Sequence, residues 1–144
     1  MDRPRLIFLA CTMGLPAAMG CKKDREASVP LVGVDIAINL NLPEYNALQV
    51  PGGWAYIIGG SEGIIVYRKN ADEFSALDRH CTYQPADQCR VTVDGSGVMA
   101  RDTLCCHSAF LLLDGSVTQG PAALGLKQYH TQFNANTQVL RIYN

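Results

Sequence analysis

From Val34 to Asn41 two kinds of residue alternate one for one. Val34, Ile36, Ile38 and Leu40 share one parity, and Asp35, Ala37, Asn39 and Asn41 the other. A period of two puts each set on its own face of an extended chain, so this stretch predicts a strand with one buried face. Further β-rich runs follow at WAYII from Trp54, IIVYR from Ile64, VTV from Val91, FLLL from Phe110, QYHTQF from Gln128 and VLRIY from Val139. Turn chemistry separates them: GGSEG at Gly59–Gly63, DGSG at Asp94–Gly97, DG at Asp114–Gly115 and NANT at Asn134–Thr137. Strands this short and this closely spaced leave no room for βαβ crossovers. They predict an all-β domain, a small sandwich or barrel of antiparallel sheets. The one helical signal is PEYNAL at Pro43–Leu48, and there is no internal repeat or low-complexity segment.

The N-terminal segment is of a different kind. MDRPR precedes an apolar run from Leu6 to Gly20, and Cys21 with KKDRE follows it. The run is shorter than the roughly 18 residues of a spanning helix and carries Gly14, Pro16 and Gly20, so residues 1–20 read as a secretory signal. Ala18, Met19 and Gly20 before Cys21 resemble the lipobox of bacterial lipoproteins, with Ala18 where leucine is commonest. Cys21 is therefore the candidate lipidation site, residues 21–31 an anchor and polar tether, and residues 32–144 the folded domain. The expected location is the bacterial cell envelope, on a membrane-anchored lipoprotein facing the periplasm or the surface. Without residues 1–20, which carry Arg3, Arg5 and Asp2, 10 of the 12 basic and 12 of the 13 acidic residues remain, a net charge of −2. That balance, with no basic stripe, excludes a nucleic-acid partner. The expected partners are the membrane, through the N-terminal lipid, and an envelope protein.

Four cysteines belong to the domain, in DRHCTYQPADQC (Asp78–Cys89) and TLCCHSAF (Thr103–Phe110), on either side of one hairpin. Adjacent residues of a strand point to opposite faces, so Cys105 and Cys106 cannot serve one site in the same way. Exported cysteines persist as disulfides, and four of them allow three pairings. A Cys105–Cys106 bond would close a strained vicinal ring. Two pairings survive: Cys81–Cys106 with Cys89–Cys105, or Cys81–Cys105 with Cys89–Cys106. Zinc knuckles use C-x2-C, whereas here seven residues and none intervene. There is no C-x-x-C, and no Lys or Arg lies within Thr103–Phe110 to lower a thiol pKa, which argues against a thiol-exchange enzyme. His80 and His107 read as exposed loop residues and His130 as a strand-surface residue. Trp54, Tyr56 and Tyr67 read as sheet packing. With no Ser-His-Asp order, phosphate loop or carboxylate pair, no catalytic residue is assigned.

DRHCTY, taken with TLCCHSAFLLLDGSVTQGPAALGLKQY, resembles the two cluster-binding loops and following segment of Rieske [2Fe-2S] domains, in the form found in lipoproteins of Bacteroidetes-type bacteria. DGSVTQGPA is similar to the family's Gly-x-Val-x-x-Gly-Pro-Ala segment, and GGWAYIIGGSEGIIVYR and FSALDR fit the strands before the first loop. The likeness spans roughly residues 32–144. It implies a small Rieske-like fold of antiparallel sheets with two cysteine-bearing loops. A Rieske loop pair supplies Cys-x-His and Cys-x-x-His, the cysteines on one iron and the histidines on the other. With Phe110 and DGSV setting the register, those positions fall on Cys81, Tyr83, Thr103 and Cys106, and Cys81 alone keeps its ligand type. Tyr and Thr are poor ligands for an iron–sulfide core. His107 falls one place late, where the family often has glycine.

The resemblance also implies a disulfide between the loops, by position Cys89–Cys105. Cys81 and Cys106 are then left facing each other across the former cluster site, where a second disulfide is expected. These implications converge on a non-catalytic, disulfide-stabilised envelope module that is not an enzyme and holds no cofactor or metal. The competing expectation is an electron-transfer protein carrying a [2Fe-2S] cluster on atypical ligands.

Overall fold

The computed structural model covers the chain and describes residues 28–144, so the expected signal segment 1–20 and lipidation site Cys21 lie outside the described residues. Among the described residues no helix is long and apolar enough to cross a membrane. In chain order the elements are β1 (Asp35–Asn39), a 3-10 helix (Pro43–Gln49), β2 (Trp54–Ile57), β3 (Ile64–Arg68), β4 (Phe74–Asp78), a short 3-10 turn (Pro85–Asp87), β5 (Thr92–Val93), β6 (Met99–Arg101), β7 (Ala109–Leu111), β8 (Val117–Gln119), β9 (Gln128–Asn134) and β10 (Val139–Tyr143). They form a six-stranded sheet, β1-β10-β9-β4-β3-β2, and a four-stranded sheet, β5-β6-β7-β8. Every pairing is antiparallel. The fold is all-β, as expected.

Two apolar cores explain why some runs alternate and others do not. In the first, Val34, Ile38 and Leu40 of the alternating stretch pack with Ile64, Val66, Ala76, Leu140 and Ile142 on one face of the large sheet. The second lies on the opposite face of β3 and β4. There Ile65 and Leu77 meet Val91, Ala100, Phe110 and Leu112 from the small sheet and its flanks. Strands β3 and β4 are thus covered on both sides, which is why IIVYR reads as a continuous apolar run, whereas β1 is covered on one side and alternates. The PEYNAL signal is the 3-10 helix, with Leu48 buried beneath it.

Strands β6 and β8 lie outside the runs that alternation predicts. Each is three residues long and carries no period of its own; both are held by pairing with β7 between them. A second difference bears on the site. Cys105 and Cys106 sit in a turn spanning residues 103–106 rather than at a strand end, and the strand of TLCCHSAF begins at Ala109.

Candidate functional site: the two cysteine loops

Both loops sit at one end of the small sheet. The first joins β4 to β5. Its base continues the ladder beyond Asp78, with a bridge between His80 and Arg90 and hydrogen bonds from Val91 N to Arg79 O and from Cys81 N to Cys89 O, each 2.8 Å. The second joins β6 to β7, and Asp102 N donates to Ser108 O across its neck at 2.9 Å. Inside that neck Asp102 Oδ1 accepts from Leu104 N at 3.1 Å and Cys105 N at 2.9 Å, an aspartate-headed turn that curls the TLCC segment. His107 then takes φ 60, a left-handed conformation that glycine adopts freely and other residues rarely.

The turn sends its two cysteines different ways. Cys105 is joined to Cys89 in a disulfide with Cα atoms 6.3 Å apart, tying loop to loop. Cys106 faces Cys81, Sγ to Sγ 3.5 Å, and both are free thiols. The second disulfide expected between them is therefore not formed in the structure. Cys106 Sγ is instead taken up by its own loop, 3.2 Å from Asp102 Oδ2 and 3.0 Å from Ser108 Oγ, while Ser108 N donates back to it at 3.5 Å. Ser108 Oγ in turn accepts from Ala122 N at 2.9 Å, fastening the loop to the segment after β8.

Cys81 and Asp102 are buried at 0% and 1% exposure, and Cys106 is half-buried. Burial pushes the Cys81 thiol up to about 12; the Tyr83 amide opposes the rise, and the Cys106 thiol and Asp102 add to it. At neutral pH Cys81 is thus a protonated thiol and a poor nucleophile. Asp102 moves the other way. Burial pushes its carboxyl up, but the Cys105 amide, the Cys106 thiol and the Leu104 amide outweigh it and hold the group below its ordinary value.

The remaining expected positions disperse. Thr103 is exposed, and Tyr83 is half-buried against the second core. His107 is exposed and His130 lies on the strand surface, as expected, but His80 is not an exposed loop residue. It is buried at 1% exposure, with Nε2 2.7 Å from Pro85 O and Nδ1 2.8 Å from Ser61 Oγ. Because Pro85 O can only accept, the proton belongs on Nε2, and Ser61 Oγ donates to Nδ1. Both ring nitrogens are spoken for. The extension of the β4 ladder past Asp78 buries this histidine, and a loop reading of DRHC could not anticipate it. Asp102 and Ser108 were also missed; the signal available for Asp102 was its place at the head of a turn, two residues before an amide it caps. Beside the first loop a cleft of about 650 Å³ is lined by Thr82, Tyr83, Pro85, Pro121, Ala123 and Leu124, among other residues.

No protein-family description matches the sequence, and no curated protein does. Solved structures do match. The cyanobacterial plasma membrane Rieske protein PetC3 from Synechocystis PCC 6803 superimposes with a TM-score of 0.52 at 22% identity, covering 63% of this chain and 86% of that one. The chain has a Rieske-like fold. A ferredoxin of carbazole 1,9a-dioxygenase from Nocardioides aromaticivorans IC177 matches at a TM-score of 0.49 and 14% identity, over 78% of this chain and 98% of the other.

A Rieske-like fold raises the question of whether the residues present suit a [2Fe-2S] cluster. Four thiolate or imidazole donors are needed, two per iron. At the four positions that the family resemblance picks out in the sequence stand Cys81, Tyr83, Thr103 and Cys106, two thiols in all, and His80 is engaged elsewhere through both nitrogens. The residues present do not fit the cluster.

Proposed function

We propose that the protein is a lipid-anchored, non-catalytic module of the bacterial cell envelope, a Rieske-like domain whose loop end is a fixed structure rather than an electron-transfer centre. The observation that carries this reading is the donor set: two thiols among the four expected ligand positions, with the His80 imidazole buried against Ser61 and Pro85. A single disulfide between the loops supports a rigid end. Beside it, the cleft lined by Tyr83, Pro121 and Leu124 has the apolar character of a docking surface for an envelope protein, and Leu104 and Leu124 are exposed at 86% and 61%. The anchor is assigned to Cys21, after a signal that ends at Gly20.

The test is to isolate the full-length protein from cell membranes grown with iron and sulfide supply intact. Iron, acid-labile sulfide and visible absorption are measured, with fatty-acid labelling alongside. The expected result is no visible chromophore, no stoichiometric iron, and a lipid label that Cys21→Ala abolishes. Two irons and two sulfides per chain with a visible spectrum would overturn the non-redox reading. A label retained in Cys21→Ala would overturn the anchor.

A further inference from the structure

The carboxylate of Asp102 is used on one side and open on the other. Its Oδ1 takes both loop amides, which fixes the group, and its Oδ2 is turned toward the thiol of Cys106. The Cys81 and Cys106 sulfurs and this carboxylate all lie within 4.8 Å of one another, two of the three residues buried and the third half-buried. A tetrahedral zinc with metal–sulfur bonds of about 2.3 Å and a metal–oxygen bond of about 2.0 Å sets its sulfurs about 3.8 Å apart and sulfur from oxygen about 3.5 Å. The observed 3.5 Å between sulfurs and 3.2 Å from Cys106 Sγ to Asp102 Oδ2 are each about 0.3 Å shorter, within reach of small side-chain rotations.

We propose that Cys81, Cys106 and Asp102 form a mononuclear site for one thiophilic d10 divalent cation of the zinc type, with a water in the fourth position. The assignment rests on the reading that the cluster is lost, since a cluster would claim both sulfurs. The loop surroundings favour it. The Ser108 amide points at the Cys106 sulfur, and the Leu104 and Cys105 amides at Asp102, so two of the three ligands are backed by a donor that orients them. Two thiolates select a soft or borderline cation over Mg2+ or Ca2+. A linear bis-thiolate ion would need sulfurs about 4.6 Å apart at the same bond length, which 3.5 Å disfavours. Binding breaks two S–H bonds and forms two metal–sulfur bonds and one metal–oxygen bond; the two protons pass to solvent and no electron moves. The neighbouring trio of Cys89, Asp102 and Cys105 offers no comparable site, because its sulfurs are bonded to each other. Zinc-knuckle spacing fails to find the proposed site because it expects cysteines where a carboxylate from the end of β6 takes the third place.

The experiment uses the mature lipid-bearing protein in detergent, its Cys89–Cys105 disulfide intact, its Cys81 and Cys106 thiols free and its metals removed by chelation, titrated with Co2+ alone and then with Zn2+ alone. A thiolate-to-cobalt charge-transfer band should saturate at one Co2+ per chain and vanish on adding Zn2+. Peptide mapping should show that Zn2+ protects Cys81 and Cys106 from alkylation. Asp102→Asn should weaken Zn2+ binding by at least about 10-fold, the loss typical of even an outer-shell partner, and Cys106→Ala should abolish the band. If Asp102→Asn does not fold, Cys106→Ala still decides the matter, because Cys106 is half-exposed and its loss leaves a small surface gap. Failure of wild type to bind, with the pair either free or joined as a disulfide, overturns the site and leaves the reading of a lost cluster standing. Binding that survives both substitutions overturns the ligand assignment. Stoichiometric iron and labile sulfide in the protein as isolated overturn both.

Discussion

Asp78 and Asp102 stand at the ends of β4 and β6, and both are buried, at 0% and 1% exposure, yet the fold uses them differently. Asp78 is saturated. Its Oδ1 accepts from His80 N at 2.9 Å and Glu62 N at 3.2 Å, and its Oδ2 from Ser61 N at 2.7 Å and Tyr129 Oη at 2.6 Å. These donors come from three separate segments, so the carboxylate pins the β2–β3 turn and β9 to the start of the first loop. Asp102 draws its amide donors from its own turn and leaves Oδ2 to a thiol. A buried carboxylate filled by fixed donors from distant segments holds a fold together; one filled locally and left open on one side holds a ligand position.

That contrast predicts unequal costs. Asp78→Ala strands three amides and a phenol without their acceptor, and should cost about 4 kcal/mol in urea unfolding. Asp102→Ala, whose donors lie in a loop beside half-exposed Cys106, should cost about 1–2 kcal/mol. Equal losses would break the comparison. The next largest effect separates covalent from polar anchoring. Replacing Cys89 and Cys105 by alanine removes a link across 16 residues and should cost about 3 kcal/mol. Amide hydrogen exchange should quicken at residues 102–108 and stay slow at residues 59–63, which Asp78 holds. Faster exchange throughout would mean that the two loops are one cooperative unit. Gly60→Ala comes third. Gly60 has φ +65, and an added Cβ would lie 2.5 Å from Asp78 Oδ2 and 2.7 Å from Tyr129 Oη, so the substitution should cost about 2 kcal/mol without removing any hydrogen-bonding group. A neutral result would show that the Asp78 network tolerates displacement.

How far the sequence reaches follows the same division. Local period made β1 legible because its partners cover one face, and turn chemistry marked most of the hairpins. Strands β6 and β8 escaped because three residues carry no period. The loops were placed by their cysteines, and the link Cys89–Cys105 by family likeness, but the state of Cys81 and Cys106 was not legible. A pairing argument sees two thiols and an oxidising compartment; it does not see Asp102 and Ser108 competing for the Cys106 sulfur. His80 and Asp78 were hidden for a related reason. Their partners Ser61 and Tyr129 lie 19 and 51 residues away, and no local window connects them.

The last expected effect is in the pH dependence of stability, small between about pH 4 and 9, and there the Cys81 thiol and the Asp102 carboxylate act at opposite ends. Asp102 has its folded value held below the ordinary 3.8, so its contribution is present above that ordinary value and is lost as pH falls through the lower folded value. Cys81 is shifted the other way, from 9.0 to about 12. Its contribution is complete below pH 9, where the thiol is protonated in both states. Above that the unfolded chain ionises first, and the contribution drains away as pH climbs towards about 12. Asp35, Asp94 and Asp114 share the acid window, so the wild-type curve alone does not isolate Asp102. The difference between wild type and Asp102→Asn does, and it should shrink as pH drops below 4. The difference between wild type and Cys81→Ala should narrow only above pH 9. If both differences stayed flat across their windows, neither group would change its proton affinity on folding, and the shielded thiol–carboxylate cluster would be open to water.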